Sequence, residues 1–227
     1  MIRQDYIIRL IEQFGQAWAL VVGQIHAKLF PSARATLDQS YQLLLGLTSD
    51  DARSFSSGDL LARMYVGTSA EHGRARSIIL GSLLSAEGDL ATEQDDPDLG
   101  AWYYQKALDI LLATIRRFPD QPLPDYVPSI EHITDALADY HVPISTNRLL
   151  LEYYEAQGAF ANAEDCLFDM LSHTTDVQPI LTLGEGFYLR LQMQTDQELA
   201  AGNFSRQEIA AGLAELQRMA QEHPKQP

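Results

Sequence analysis

The strongest constraint on the fold is a spacing that recurs along the chain, in which an aromatic residue is followed by alanine three positions later and by leucine after four more. The spacing occurs at Phe160, Ala163 and Leu167 and again at Phe30, Ala33 and Leu37. The small residue lets two helices approach closely, so the spacing is typical of two helices joined by a tight turn. Stacked units of this kind form an α-solenoid, a fold that usually holds other molecules.

Helical periodicity continues through most of the 227 residues. Apolar residues recur every three or four positions, most clearly over residues 2–26, and such a rhythm places them on one helix face. No segment alternates in the way that predicts a β-strand. We therefore predict an all-α protein of about nine to eleven helices that begins with a long apolar N-terminal helix.

A proline-rich segment interrupts this pattern near the middle of the chain. Its four prolines are Pro119, Pro122, Pro124 and Pro128. Proline removes an amide donor and disfavours helix at the preceding residue, so the segment breaks the helical run. We predict a single helical-repeat domain over residues 1–227, with a sub-boundary at 119–128 between halves 1–118 and 129–227.

The net charge of −15, from 31 acidic and 16 basic residues, excludes several classes of partner. Nucleic acid requires a cationic surface, and an anionic membrane favours one, so we expect neither as a partner. Residues 1–34 differ, with four basic residues against two acidic ones. The interval 85–100 holds six acidic residues and no basic one, and we predict a solvated loop there in preference to a cation site or a patch that binds a basic partner.

The single cysteine, Cys166, allows no intramolecular disulfide, which favours a cytoplasmic location. Its apolar helical surroundings predict a buried, inert thiol. The longest unbroken apolar stretch near the N-terminus, residues 17–23, is too short for a signal-peptide core or a membrane span.

Residues suited to catalysis are sparse. The nearest constellation of metal-ligand types is His132, Asp135, Asp139 and His141, whose first three members are one helical turn apart. An ordinary solvated helix face is the favoured alternative to a metal site there. No phosphate-binding loop is present. We predict no cofactor and no enzymatic activity, and a metal-dependent enzyme built on these four residues is the third hypothesis for function.

Tyrosines are the candidates for contact with a partner. They are Tyr103, Tyr104, Tyr153, Tyr154 and Tyr188. Adjacent helical residues point about 100° apart, so one member of a pair can pack inside while the other lines a groove for an extended peptide or a partner helix. The favoured alternative is that these side chains belong to the core.

The N-terminal helix has an apolar face so broad that it must be buried on more than one side. This breadth predicts either packing beneath the other helices or a homodimer interface, for which the candidates are Ile7, Ile11, Phe14 and Trp18.

Two resemblances follow from particular residues. Leu150, Tyr154, Gly158, Phe160, Ala163 and Leu167 resemble the tetratricopeptide repeat, in which a tyrosine precedes the turn, glycine occupies it and alanine lies at the helix contact. The match covers about half of the chain, and its units share no constant period. The opening residues Met1-Ile2-Arg3-Gln4-Asp5-Tyr6 resemble those of an uncharacterised bacterial family with a domain of unknown function.

These resemblances imply a bacterial, cytoplasmic helical-repeat protein, and they imply no activity. The first hypothesis for function is a non-enzymatic scaffold that binds a protein or peptide. A structural homo-oligomer assembled through the N-terminal helix is the second.

Overall fold

The fold is entirely helical in the part of the chain that the structure describes. A computed structural model describes the backbone of residues 2–222 and the side chains of residues 7–222. These residues form twelve α-helices and one π-helical turn, with no β-strand among them. The prediction of an all-α protein is confirmed for these residues. The opening motif, residues 1–6, lies outside the described side chains.

The chain divides into two compact units, Met1–His141 and Val142–Pro227, which we call the N-terminal and C-terminal units. The proline-rich segment 119–128 lies within the N-terminal unit, between its last two helices. The single-domain organisation stays a prediction.

Seven helices and the π-helical turn make up the N-terminal unit. They are α1 (Ile2–His26), α2 (Phe30–Ser40), the π-helical turn (Tyr41–Leu45), α3 (Ser49–Ser54), α4 (Ser57–Tyr65), α5 (Ala70–Glu93), α6 (Pro97–Arg117) and α7 (Ile130–Ala136). Helix α5 contacts α1, α2, α4, α6 and the π-helical turn. It is therefore the centre of this unit and is buried on almost every side over most of its length.

Close packing between α5 and α6 depends on two glycines. A Cβ atom at Gly81 would lie 2.6 Å from Cγ of Leu111, and one at Gly88 would lie 2.7 Å from Cε1 of Tyr104. Both distances are too short for real contacts, so only glycine lets the two helices approach this closely.

The structure corrects the prediction of a solvated loop over the acid-rich interval 85–100. It is mostly helix, because α5 continues to Glu93 and α6 begins at Pro97. Asp96 caps the start of α6, since its side chain accepts a hydrogen bond from the amide of Leu99. Only the short turn between the two helices matches the predicted loop.

Five helices make up the C-terminal unit. They are α8 (Ile144–Ala156), α9 (Phe160–Ser172), α10 (Gln178–Gln192), α11 (Asp196–Ala201) and α12 (Arg206–Glu222). Gly158 has φ +73° in the turn between α8 and α9, a conformation that glycine adopts without strain. Helix α10 ends at Gln192, and a capping box formed by Thr195 and Glu198 starts α11.

None of the described helices is long and apolar enough to cross a membrane.

Candidate functional site

The face of α1 predicted as an oligomer interface packs against the chain's own core. Phe14 is fully buried, and its ring centroid lies 5.8 Å from that of Trp18 and 5.9 Å from that of Tyr126. Ile7, Ile11 and Trp18 are half-buried at the edge of the same face. The interface prediction is corrected for Phe14, because this residue is buried where α1 packs against α2 and α5 of its own unit. For Ile7, Ile11 and Trp18 it stays a prediction.

Four of the five candidate tyrosines are buried. Tyr153 is half-buried, and the four buried side chains are those of Tyr103, Tyr104, Tyr154 and Tyr188. A buried ring cannot contact a partner unless the surrounding helices separate, so the prediction of a tyrosine-lined groove is corrected for these four residues. They belong to the core, which was the favoured alternative.

The four metal candidates do not assemble. Helix α7 ends at Ala136, so Asp139 and His141 do not continue the helix face that holds His132 and Asp135. Among the described residues, no group of three ligand atoms close enough to share an ion includes His132, Asp135 or Asp139.

His132 instead contacts Asp89 of α5. Its Nε2 atom lies 3.2 Å from Oδ1 of Asp89, which also accepts a hydrogen bond of 2.6 Å from the hydroxyl of Tyr104. The hydrogen bond with Asp89 raises the pKa of His132 above its ordinary value, against the opposing effect of burial. Burial and then the bond to Asp89 raise the pKa of the Tyr104 hydroxyl. Through these two hydrogen bonds to Asp89, residues of α7 and α6 both contact α5.

A second polar cluster lies deep in the N-terminal unit around Glu87, whose exposed fraction is 1%. Arg34 donates a hydrogen bond to Oε2 of Glu87, and Nε of Arg53 donates one of 2.6 Å to the hydroxyl of Tyr103. Oε1 of Glu87 and the hydroxyl of Tyr41 have no hydrogen-bond partner among the described residues. Burial raises the pKa of Glu87 and outweighs the opposing effect of Arg34.

This cluster joins four elements of the N-terminal unit: α2, α3, α5 and α6, with the π-helical turn beginning at Tyr41. A buried carboxylate with one arginine partner favours specific packing over high stability, because its desolvation offsets much of the ion-pair attraction. We therefore assign the cluster to positioning of the helices.

An open concave surface lies in the C-terminal unit, between α8 and α10 with the turn that follows α10. This surface, which we call the α8–α10 groove, has a volume of about 710 Å³. Its lining residues are Glu152, Glu155, Ala156, Leu183, Arg190, Met193 and Gln194. The lining therefore combines apolar side chains with two acids, one base and one amide.

One ion pair spans the groove. Nε and Nη2 of Arg190 donate to the two carboxylate oxygens of Glu155 at 2.6 and 2.8 Å, and this bond raises the pKa of the guanidinium. The paired geometry holds α10 against α8 at one place and leaves Met193 beside it with an exposed fraction of 85%. Ligand sites in proteins combine apolar side chains with a few fixed polar groups, and this surface carries both kinds of group.

The sequence did not predict this groove. Its residues come from α8 and, about 35 positions later, from α10 and the turn that follows it, and each is an ordinary surface residue in its own segment. Leu189 near the end of α10 and Met193 just after this helix are both strongly exposed, and this exposure is visible only in the structure.

Comparison with known proteins identifies one family. A family model described as "Family of unknown function (DUF6483)" matches residues 1–221. Neither a curated protein nor a solved structure matches the chain.

Proposed function

The chain belongs to the DUF6483 family, whose function is unknown, and we propose that it is a non-enzymatic module that binds a peptide segment of another protein. The α8–α10 groove is the binding site in this proposal. The observation that carries it is the exposure of Met193 beside the Arg190–Glu155 pair in an open groove of about 710 Å³. This volume lies in the range of about 300–1,000 Å³ that is common for ligand sites.

The groove chemistry defines the class of peptide. Met193, Leu183 and Ala156 offer an apolar surface to one or two apolar side chains, and methionine adapts to differently shaped groups. Residues 142–227 carry twelve acidic against five basic residues, a net charge of −7. A peptide with a basic residue beside its apolar anchor is therefore attracted by the unit as a whole, whereas an acidic one is repelled.

A tetratricopeptide-like architecture of the C-terminal unit is part of the proposal. The turn before α9 and the turn before α12 lie against each other, because the amide of Ala161 donates to the carbonyl of Gly202 at 3.3 Å. A Cβ atom at Gly202 would collide with the carbonyl oxygen of Gly158. Contact between successive turns supports stacking of the α8–α9 pair on the pair formed by α10 and α12.

Cysteine content and charge support a proposal for the cellular location of the protein and for the class of its partner. We propose a cytoplasmic protein, because the single cysteine suits a reducing compartment. The proposal of a bacterial origin depends only on the resemblance of residues 1–6 to an uncharacterised bacterial family. Its strongly negative charge supports a protein or peptide partner and argues against nucleic acid and anionic membranes.

Selection from a displayed library of random peptides tests the proposal. We expect the wild-type protein to enrich peptides that combine an apolar anchor with lysine or arginine. Met193→Asp should abolish the enrichment, since it places a charge where the anchor packs. Leu189→Asp is the matched control, because Leu189 lies on α10 only four residues before Met193, is 59% exposed and does not line the groove. Absence of enrichment, or equal enrichment by Met193→Asp, would contradict the proposal.

A further inference from the structure

Two polar side chains in the cluster around Glu87 are buried and yet carry an atom without a hydrogen bond. Glu87 is 1% exposed, and Tyr41 is fully buried. Oε2 of Glu87 accepts a hydrogen bond from Arg34, but Oε1 of Glu87 and the hydroxyl of Tyr41 have no partner among the described residues. A buried polar atom without a hydrogen bond is costly, and such atoms in native proteins are usually paired with protein groups or with ordered water. Both atoms therefore require a partner.

The two side chains face the same interior region of the N-terminal unit. Arg34 and Tyr41 are seven residues apart, so they share one face of α2 and of the π-helical turn that continues it. From this face Arg34 reaches Glu87, and the π-helical turn packs against α5, which carries Glu87. Burial raises the pKa of the Tyr41 hydroxyl, and the charge of Glu87 raises it further. An effect of this kind weakens with distance, so the carboxylate and the hydroxyl lie near each other.

Protonation of Glu87 does not supply the missing bonds. A protonated Oε1 atom would be a donor, and the described residues offer it no acceptor. The hydroxyl of Tyr41 would also stay unpaired, since the two atoms do not bond to each other. A small group that can both donate and accept a hydrogen bond would satisfy the carboxylate oxygen, which accepts, and the hydroxyl, which donates.

We propose that one buried water molecule bridges Tyr41 and Glu87. The water accepts a hydrogen bond from the Tyr41 hydroxyl and donates one to Oε1 of Glu87. The hydroxyl of Tyr103 is its third partner, because the oxygen of this hydroxyl accepts a hydrogen bond of 2.6 Å from Nε of Arg53 and its proton is available to the water. About three bonds are typical of a buried water. This site does not depend on the peptide-binding function, which uses the other unit.

The charges around the site favour a neutral occupant. Burial raises the pKa of Glu87, and the charges of Arg34 and Arg53 oppose this effect. Two guanidinium groups so close to the carboxylate repel a metal cation. The carboxylate in turn repels an anion, in a region where any unpaired charge is costly. Water is neutral and small and can both donate and accept, so it fits the site better than either kind of ion.

The bridging water joins three elements of the N-terminal unit. Tyr41 begins the π-helical turn, Glu87 belongs to α5 and Tyr103 belongs to α6. Turns of π-helix are rare and often mark a position with a specific role, and this turn begins at the tyrosine that binds the water. The water gives the buried carboxylate a partner on each of its two oxygen atoms, Arg34 on Oε2 and the water on Oε1.

Urea denaturation of Tyr41→Phe tests the proposal by the direction of the change in stability. Phenylalanine keeps the ring and removes only the hydroxyl. The variant loses the hydrogen bond to the water, so we expect its unfolding equilibrium constant to rise about tenfold, equivalent to about 1.4 kcal/mol. A hydroxyl without any partner predicts the opposite, because its removal relieves the cost of a buried polar group. Tyr104→Phe is the matched control for a paired hydroxyl, since Tyr104 donates directly to Asp89 at 2.6 Å, and its unfolding constant should rise as well.

A crystal structure at high resolution tests the water itself. We expect electron density for one water within about 3.2 Å of the Tyr41 hydroxyl and of Oε1 of Glu87. Tyr104→Phe should keep this density, because Tyr104 is not a partner of the water. Four results would each overturn the proposal: no density at the site, an ion in place of the water, a direct hydrogen bond between Tyr41 and Glu87, or an unfolding constant of Tyr41→Phe that is unchanged or lower.

Discussion

Replacement of Arg34 by methionine should destabilise the N-terminal unit in a pH-dependent way. Methionine keeps most of the packing of the arginine stem and removes the only hydrogen-bond donor to Glu87 that the structure describes. The carboxylate is then buried without a protein partner, and it can either remain charged or take up a proton. The loss of stability equals the free-energy cost of whichever of these two outcomes, a buried charge or protonation, costs less.

The free-energy cost of protonating Glu87 sets an upper limit on the stability that is lost because this carboxylate has no partner. A carboxyl group with the ordinary pKa of 4.5 requires about 3.4 kcal/mol to become protonated at pH 7 and about 0.7 kcal/mol at pH 5, at roughly 1.36 kcal/mol per pH unit. We therefore expect Arg34→Met to lower the free energy of unfolding by about 2–3 kcal/mol at pH 7 and by less than about 1 kcal/mol at pH 5.

The sign of this dependence follows from the direction of the pKa shift. Burial raises the pKa of Glu87 in the folded state above its ordinary value. The contribution of this group to stability is therefore fully present below pH 4.5 and is lost as the pH rises through the raised folded-state pKa. Removal of Arg34 raises that pKa further and extends the loss to higher pH.

Urea denaturation followed by tryptophan fluorescence measures the effect. Both tryptophans, Trp18 and Trp102, lie in the N-terminal unit, so the signal reports that unit. Glu87→Gln removes the titrating group, and Arg34→Met in that background should cost the same at pH 5 and pH 7. An equal loss at both pH values in the single variant, or a pH-dependent loss that persists beside Glu87→Gln, would refute the reasoning.

Three further predictions concern other parts of the chain. The pKa of His132, measured by NMR titration, should lie above 6.5. In Asp89→Asn it should return towards 6.5, and an unchanged pKa in this variant would show that Asp89 does not raise the pKa of His132. Gly212→Ala should lower the free energy of unfolding by about 1–3 kcal/mol in circular dichroism melts, because a Cβ atom there collides with the hydroxyl of Tyr188. Burial raises the pKa of the Cys166 thiol to about 12, so a disulfide reagent at pH 8 should react with it only after unfolding; rapid reaction of the folded protein would contradict this.

The helix boundaries set by local chemistry were predictable from the sequence. Asp96 and Pro97 start α6, Gly158 ends the turn after α8, and Ser205 pairs with Glu208 at the start of α12. Each signal depends on residues within four positions of one another, and capping bonds of this range form wherever the helix ends.

Features set by distant contacts were not predictable. Glu87 belongs to an acid-rich stretch, and only its contact with Arg34, 53 positions away, accounts for a buried carboxylate. The tyrosine pair at 103 and 104 shows the same limit, since α6 contacts helices on several sides and both rings are buried.

The most direct test of the peptide-binding function is an amide NMR titration of the wild-type protein with a peptide enriched in the library selection. The account predicts that the largest chemical-shift changes fall on residues 152–156 of α8 and on residues 183–194 of α10 and the turn that follows it. Met193→Asp should remove these changes while leaving the rest of the spectrum unaltered. Shifts concentrated in the N-terminal unit, or shifts that persist in Met193→Asp, would contradict the claim that the α8–α10 groove is the binding site.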